Sequence, residues 1–169
     1  MNYVLKSNNM KSKIKFLVMD VDGTLTDGKI YMGEQGEMFK AFDVKDGYGI
    51  KDILPKYDIL PVVITARNSE ILVRRCDELG ILHLYQGIRN KIDKLNEILL
   101  QESYDYSNCA YIGDDILDLQ CMKSIKNSGG KTGCPKDAVM SVKDASDFVC
   151  SRNGGDGAVR EFIEWLITE

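Results

Sequence analysis

Asp20-Val21-Asp22-Gly23-Thr24-Leu25-Thr26 decides how this chain reads. It follows the apolar run Ile14-Lys15-Phe16-Leu17-Val18-Met19, whose length and branched side chains predict a buried β-strand. Two carboxylates, one residue apart, therefore stand where a strand ends and a glycine-containing turn begins. Like charges this close repel, and a hard cation such as Mg²⁺ is the usual counter-charge. Taken alone, the stretch fits equally well a plain Asx/Gly turn that ends the strand. An EF-hand loop starting at Asp20 is excluded: its glycine falls at position four instead of six, and position twelve is Tyr31 instead of Glu.

Outward from this stretch, strand and helix signals alternate. Lys29-Ile30-Tyr31-Met32 and Glu37-Met38-Phe39-Lys40-Ala41-Phe42 flank the polar Gly33-Glu34-Gln35-Gly36 and predict a β-hairpin. Its aromatic side chains would be half exposed in a monomer; they either fold back on the chain's own core or meet another copy. Asp46 is expected to cap a short helix that ends before Pro55. A second strand is expected over 59–65. The helix after it, capped by Asn68 or Ser69, carries Ile71, Leu72, Cys76 and Leu79 on one face and closes at Gly80. A third strand over 81–86, a helix opened by Lys91, a fourth strand over 109–112 and a helix over 116–125 follow. Residues 126–136 predict only a short strand or loop, and residues 147–150 a last short strand. The glycine-rich loop over 153–157 leads into a C-terminal helix over 158–167. Alternation with short connections implies an α/β fold: a Rossmann-like three-layer sandwich with a largely parallel sheet, helices on both faces and a protruding hairpin.

Size and charge narrow the function. The 169 residues suit one domain with a proper core. Residues 1–12 are expected to be a flexible lead-in to that domain, over 13–169. A net charge of −4 without a basic stripe argues against nucleic acid as a partner. No run approaches the length of a membrane span. The five cysteines are irregularly spaced with no C-x-x-C pair, which points to reduced thiols in a cytoplasmic protein. Lone His83, inside an apolar run, is expected to be a core histidine.

Ligands of such folds sit at the carboxyl ends of the strands. There the chain places Asp20 and Asp22, then Thr65 with Arg67, then Lys91, then Asp114, Asp115 and, a helical turn on, Asp118. Singly, Thr65 is a strand-end hydroxyl, Lys91 a first-turn lysine and Asp114-Asp115 a helix cap. Jointly, they are what metal-assisted phosphoryl transfer requires. Oxygen ligands hold Mg²⁺, one carboxylate serves as nucleophile and another as acid/base, and lysine and hydroxyl hold the phosphoryl oxygens.

In this order the residues resemble the motifs of the haloacid dehalogenase-like phosphatase superfamily: Asp20-Val21-Asp22-Gly23-Thr24, Thr65, Lys91 and Gly113-Asp114-Asp115. The resemblance implies that Asp20 is the nucleophile and Asp22 the acid/base. It also implies Mg²⁺ held by the side chains of Asp20 and Asp114 and the main-chain carbonyl of Asp22, with Thr65 and Lys91 binding the phosphoryl group. Val44-Lys45-Asp46-Gly47-Tyr48-Gly49-Ile50, the run from Leu79 to Gly87 and the run from Gly154 to Glu161 are similar to the 3-deoxy-D-manno-octulosonate 8-phosphate phosphatase family. Related members act on nine-carbon sialic-acid-type 9-phosphates, and another relative is the C-terminal domain of some CMP-sialate synthetases.

This branch lacks a cap domain, in keeping with the short stretch between Thr26 and Thr65. Its members are homotetramers built through the hairpin, with a neighbouring subunit covering the active site. Arg67 matches the arginine usual in the octulosonate branch and suits bidentate recognition of a sugar-acid carboxylate; Arg75 and Arg160 are further candidates for substrate binding. Ala66 stands where glycine is more usual. The expectation is a Mg²⁺-dependent phosphatase of an eight-carbon sugar acid, working through an aspartyl-phosphate. The alternatives are a nonulosonate 9-phosphate phosphatase and a non-catalytic oligomerisation module. A receiver-like phospho-acceptor domain is disfavoured, because its acceptor aspartate follows a later strand.

Overall fold

Phe16–Met19 form β1, buried along its whole length at the centre of a six-stranded parallel sheet. The computed structural model describes residues 13–169, so the expected lead-in over 1–12 lies outside the described residues. One flank of β1 pairs with β4 (Leu60–Ile64), Met19 opposite Val63; the other pairs with β6 (Cys109–Ile112), Met19 opposite Ile112. Beyond β4 lies the edge strand β5 (His83–Tyr85), and beyond β6 lie β7 (Lys131–Cys134) and β8 (Phe148–Val149). The chain thus winds outward from β1 to β5, returns to the middle and winds outward the other way. The strand order reverses at β1 and β6, and a crevice opens above their carboxyl ends.

Alternation along β1 feeds two cores. Leu17 and Met19 face α2 (Glu70–Leu79) and α6 (Ala158–Leu166), whose Leu72, Cys76, Phe162 and Ile163 pack against them. Phe16 and Val18 face α3 (Lys91–Glu102), α4 (Leu119–Asn127) and α5 (Met140–Ala145) through Leu95, Ile98, Met122 and Val142. The expected parallel sheet with helices on both faces is what forms. Between β1 and β4 stand β2 (Tyr31–Gly33) and β3 (Gly36–Phe39), an antiparallel hairpin separate from the main sheet, with Tyr31 and Phe39 stacked at 4.3 Å. Met32 and Met38 on it are 64% and 65% exposed. No helix among the described residues is long and apolar enough to cross a membrane.

The structure departs from the sequence expectations in several places. The helix near residue 46 is α1 (Val44–Tyr48), and its cap is Asp43, whose side chain accepts from the Lys45 N–H. It continues as a π-type turn over Gly49–Ile53 and a 3₁₀ turn over Leu54–Tyr57, with Pro55 in the first turn, where its missing N–H leaves nothing unsatisfied. The helix expected over 116–125 divides into a 3₁₀ turn at Ile116–Asp118 and α4. α5 was not foreseen, since one buried Val142 gives no periodic stripe. His83 is half buried rather than in the core, because β5 is an edge strand; Tyr85 Oη lies 3.5 Å from its Nδ1. All five cysteines are free and buried.

Asp46, displaced from its expected capping role, is buried inside the fold. Its Oδ1 accepts from the Arg160 N–H at 2.7 Å in the first turn of α6. That helix starts at Gly157, which has no side chain to offer, so Asp46 supplies the missing cap from another element. Burial raises the Asp46 carboxyl to about 6, against the lowering effect of the Arg160 N–H. Asp46→Ala should therefore cost about 1–3 kcal/mol by orphaning a buried donor, whereas Asp46→Asn keeps the acceptor. A raised folded value means the native state takes up the proton first. Wild type should thus gain stability relative to Asp46→Asn as pH falls from about 6 towards 3.8. Denaturant titrations of the three proteins at pH 7 and pH 5 check both effects.

Candidate active site

The turn after β1 is shaped from three sides. The Asp20 N–H donates to the Ile112 carbonyl at 3.1 Å, tying the strand end to β6. The Val21 carbonyl accepts from the N–H groups of Thr24, Leu25 and Thr26, which curls the chain tightly. Gly23 has φ +98°, and a Cβ there would stand 2.1 Å from Asp114 Oδ2, so both conformation and space demand glycine. The Thr24 hydroxyl donates to Asp114 Oδ1 at 3.0 Å. From behind, the Gly155 N–H donates to the Thr24 carbonyl at 3.1 Å, and a Cβ on Gly154 would stand 1.9 Å from the Gly23 carbonyl oxygen. The loop over 153–157 is thus the backstop of the turn as well as the lead into α6.

Lys91, at the start of α3, is 3% exposed. Its Nζ donates to Asp20 Oδ1 and to Asp118 Oδ1, each at 2.7 Å. Asp118 is fully buried and committed on both oxygens: Oδ1 also accepts from the Tyr111 hydroxyl at 2.7 Å, and Oδ2 accepts from the N–H groups of Asp114 and Asp115. Asp115, by contrast, turns its carboxylate to the Ile116 N–H and caps the 3₁₀ turn. Thr65 is buried two residues beyond Val63, the partner of Met19, and its N–H donates to the Tyr85 carbonyl at 3.0 Å.

Carboxylate oxygens of Asp20, Asp114 and Asp118 lie within 4.8 Å of one another. Burial, and after it the charge of Asp118, raises the Asp20 carboxyl above its ordinary range. Burial and the charges of Asp20 and Asp118 raise Asp114 in the same direction. Burial alone would lower Lys91, yet Asp20 and Asp118 outweigh it and raise the ammonium. Three carboxylates facing one lysine leave an excess of negative charge. A divalent cation fits that donor set through Asp20 and Asp114, since Asp118 is already saturated with hydrogen bonds.

Asp22 looks the other way. Lys40, just past β3, places Nζ 2.5 Å from Asp22 Oδ1 and 3.0 Å from Glu37 Oε1. Arg67 Nη1 lies 4.0 Å from Asp22 Oδ2, its Nη2 lies 3.3 Å from Glu37 Oε1, and the Ser69 hydroxyl donates to Glu37 Oε2 at 2.6 Å. Glu37 and Lys40 are the residues that sequence reasoning missed as members of the site; Asp118 was gathered with the strand-end residues, but its role as the second partner of Lys91 shows only in the structure. Asp20, Asp22, Thr65, Lys91, Arg67 and Asp114 gather above β1, β4 and β6. Arg75 and Arg160 are held elsewhere. Arg75 pairs with Glu78 at 2.8 Å and lies over the Phe42 ring; Arg160 pairs with Glu164 at 2.7 Å and lies over Tyr48. A carboxylate beside a buried lysine, and a second carboxylate held apart from it, can serve as nucleophile and proton carrier toward an anionic group.

No family model matches the chain. It is 42% identical over 154 residues, 91% of this chain and 79% of the relative, to the 3-deoxy-D-manno-octulosonate 8-phosphate phosphatase KdsC of Escherichia coli (strain K12). The phosphatase of that name from Moraxella catarrhalis, solved in complex with magnesium, phosphate and a KDO molecule, superposes with a TM-score of 0.85 at 36% identity, covering 92% of this chain and 87% of that one. The cobalt-bound deoxy-D-mannose-octulosonate 8-phosphate phosphatase of Haemophilus influenzae gives 0.84 at 38% identity, covering 92% and 88%.

Because Asp20 and Asp114 hold protons above the ordinary carboxylate range, a cation seated between them must displace those protons. Mg²⁺ binding should release protons and weaken as pH is lowered, starting above the usual carboxylate values. Titration calorimetry in two buffers of different ionisation enthalpy reads the release. Asp114→Ala should weaken binding by at least about tenfold, about 1.4 kcal/mol, and unchanged affinity would remove Asp114 from the site.

Proposed function

The chain belongs to the 3-deoxy-D-manno-octulosonate 8-phosphate phosphatase family, and on that premise we propose that it hydrolyses the terminal phosphate of an eight-carbon 2-keto-3-deoxy sugar acid, 3-deoxy-D-manno-octulosonate 8-phosphate. The observation that carries this is Lys91 locked between Asp20 and Asp118 beside Asp114, a charged, preorganised pocket at the switch point of the sheet. A module serving assembly alone has no use for a desolvated lysine and three carboxylates in one place, so the non-catalytic alternative loses its ground.

Asp20 attacks phosphorus through one carboxylate oxygen; the new O–P bond forms as the bond to the sugar oxygen breaks. Asp22 gives its proton to the departing sugar alkoxide, then takes one from the water that cleaves the aspartyl-phosphate. Inorganic phosphate leaves, and Asp20 returns to its starting form. Lys91 and Thr65 hold the phosphoryl oxygens while charge is spread over them. Asp20, Asp114 and the main-chain carbonyl of Asp22 would hold Mg²⁺, which would supply positive charge to offset that of the phosphoryl group. Arg67, 38% exposed on its side chain beside Asp22, is the partner for the sugar-acid carboxylate, and its match to the arginine usual in the octulosonate branch is what favours this substrate over the nine-carbon phosphates. Five free buried thiols support a cytoplasmic setting.

Self-association through the hairpin into a homotetramer, with a neighbouring subunit covering the site, is part of the same proposal. What supports it is the exposed Met32, Met38 and Phe39 on a two-stranded ribbon that stands apart from the main sheet. The chain's single domain over 13–169 would then be one protomer.

Turnover of the octulosonate phosphate should exceed that of nonulosonate 9-phosphates in a released-phosphate assay, and equal rates would remove the substrate assignment. Asp20→Asn should lose at least about a thousandfold in kcat (about 4 kcal/mol of barrier) while keeping a cooperative unfolding transition; a substantial residual rate would overturn the nucleophile. Met38→Glu should lower the mass seen by light scattering, and a tetramer unmoved by that charge would take the hairpin out of the interface.

A further inference from the structure

The hairpin carries one residue that behaves unlike its neighbours. Met38 and Phe39 point to solvent, yet the next side chain, Lys40, is 2% exposed. Lysine is almost never buried this deeply unless paired, because the lost hydration of the ammonium must be replaced. Here the replacement is two carboxylates, Asp22 at 2.5 Å and Glu37 at 3.0 Å. Glu37 is gripped in turn by the Ser69 hydroxyl and the Arg67 guanidinium, both from the segment after β4. Lys40 is therefore aimed from both ends of the crevice. Arg67 cannot substitute for it: its nearer nitrogen is 4.0 Å from Asp22, on a side chain open to solvent that screens the attraction.

The two aspartates of the turn thus each have a lysine of their own. Lys91 reaches Asp20 from a helix below the crevice; Lys40 reaches Asp22 from the hairpin. We propose that Lys40 is a positioning residue for the reaction, holding the Asp22 carboxylate where it must meet the leaving oxygen. This rests on Asp22 being the proton donor. It makes the hairpin a working part of its own chain's site, beyond any role in assembly.

A leaving group decides the test. An alkoxide departing from a sugar phosphate needs the proton from Asp22, whereas p-nitrophenolate departs with little help. Lys40→Met should lower kcat on the octulosonate phosphate by about tenfold to a hundredfold, leave KM nearly unchanged and affect p-nitrophenyl phosphate far less. Lys40→Arg should recover most of the rate, since it restores a cation. In an Asp22→Asn background, Lys40→Met should cost nothing further. A loss that persists in that background, or falls equally on both substrates, overturns the proposal and makes Lys40 merely structural. An Asp22→Asn enzyme as fast as wild type overturns the role of Asp22 itself and this proposal with it. Should Lys40→Met fail to fold, Glu37→Gln loosens the same ammonium and should lower kcat in the same substrate-selective way; no such change overturns the proposal.

Discussion

Packing three carboxylates at the ends of two adjacent buried strands is a repulsive arrangement, and Lys91 is what makes it tenable. Its ammonium sits between Asp20 and Asp118 with almost no water around it, so each attraction acts in a medium of low polarity and is strong. Asp118 must then be immobile, or the lysine would swing with it. Tyr111, from β6, and two backbone N–H groups see to that. Gly113 belongs to the same requirement, because a Cβ there would stand 2.4 Å from Asp118 Cγ. The glycine beside the acidic pair is thus a spacing demand made by a residue further along the chain. The excess negative charge that remains is what a divalent cation would offset.

Much of this was legible in the sequence, for a physical reason. Apolar runs fix strands, the polar residues after parallel strands all arrive at one edge, and so Asp20, Thr65, Lys91 and Asp114 could be gathered without coordinates. What stayed hidden depends on contacts between distant segments. Glu37 and Lys40 read as ordinary charges of a hairpin, since nothing local says that the ribbon folds down over Asp22. Asp46 read as a helix cap, and a cap it is, but for a helix more than a hundred residues away. Arg75 and Arg160 read as candidates for substrate binding, yet their partners are glutamates one turn away and aromatic rings.

With Lys40 in the proposed role, the hairpin would tie catalysis to surface chemistry. Its outward side offers methionine and phenylalanine, and its inward side offers Glu37 and Lys40, on strands too short to separate the two roles. Anything that presses on the outer side bears on the inner one. Arg67 feels the same coupling: it is partnered by Glu37 at 3.3 Å, so the substrate carboxylate proposed for it would compete with a resident one. The arginine is already oriented, and under that proposal its selectivity would be set by what Glu37 releases.

The seat of Gly154 and Gly155 against Gly23 and Thr24 also bears on time. These contacts join the first turn of the fold to a loop near its last helix, the kind of long-range closure that slows folding. A chain leaving the ribosome displays Asp20 well before the segment that braces its turn has been made. The turn that carries Asp20 is therefore braced late, only after the loop over 153–157 has been made.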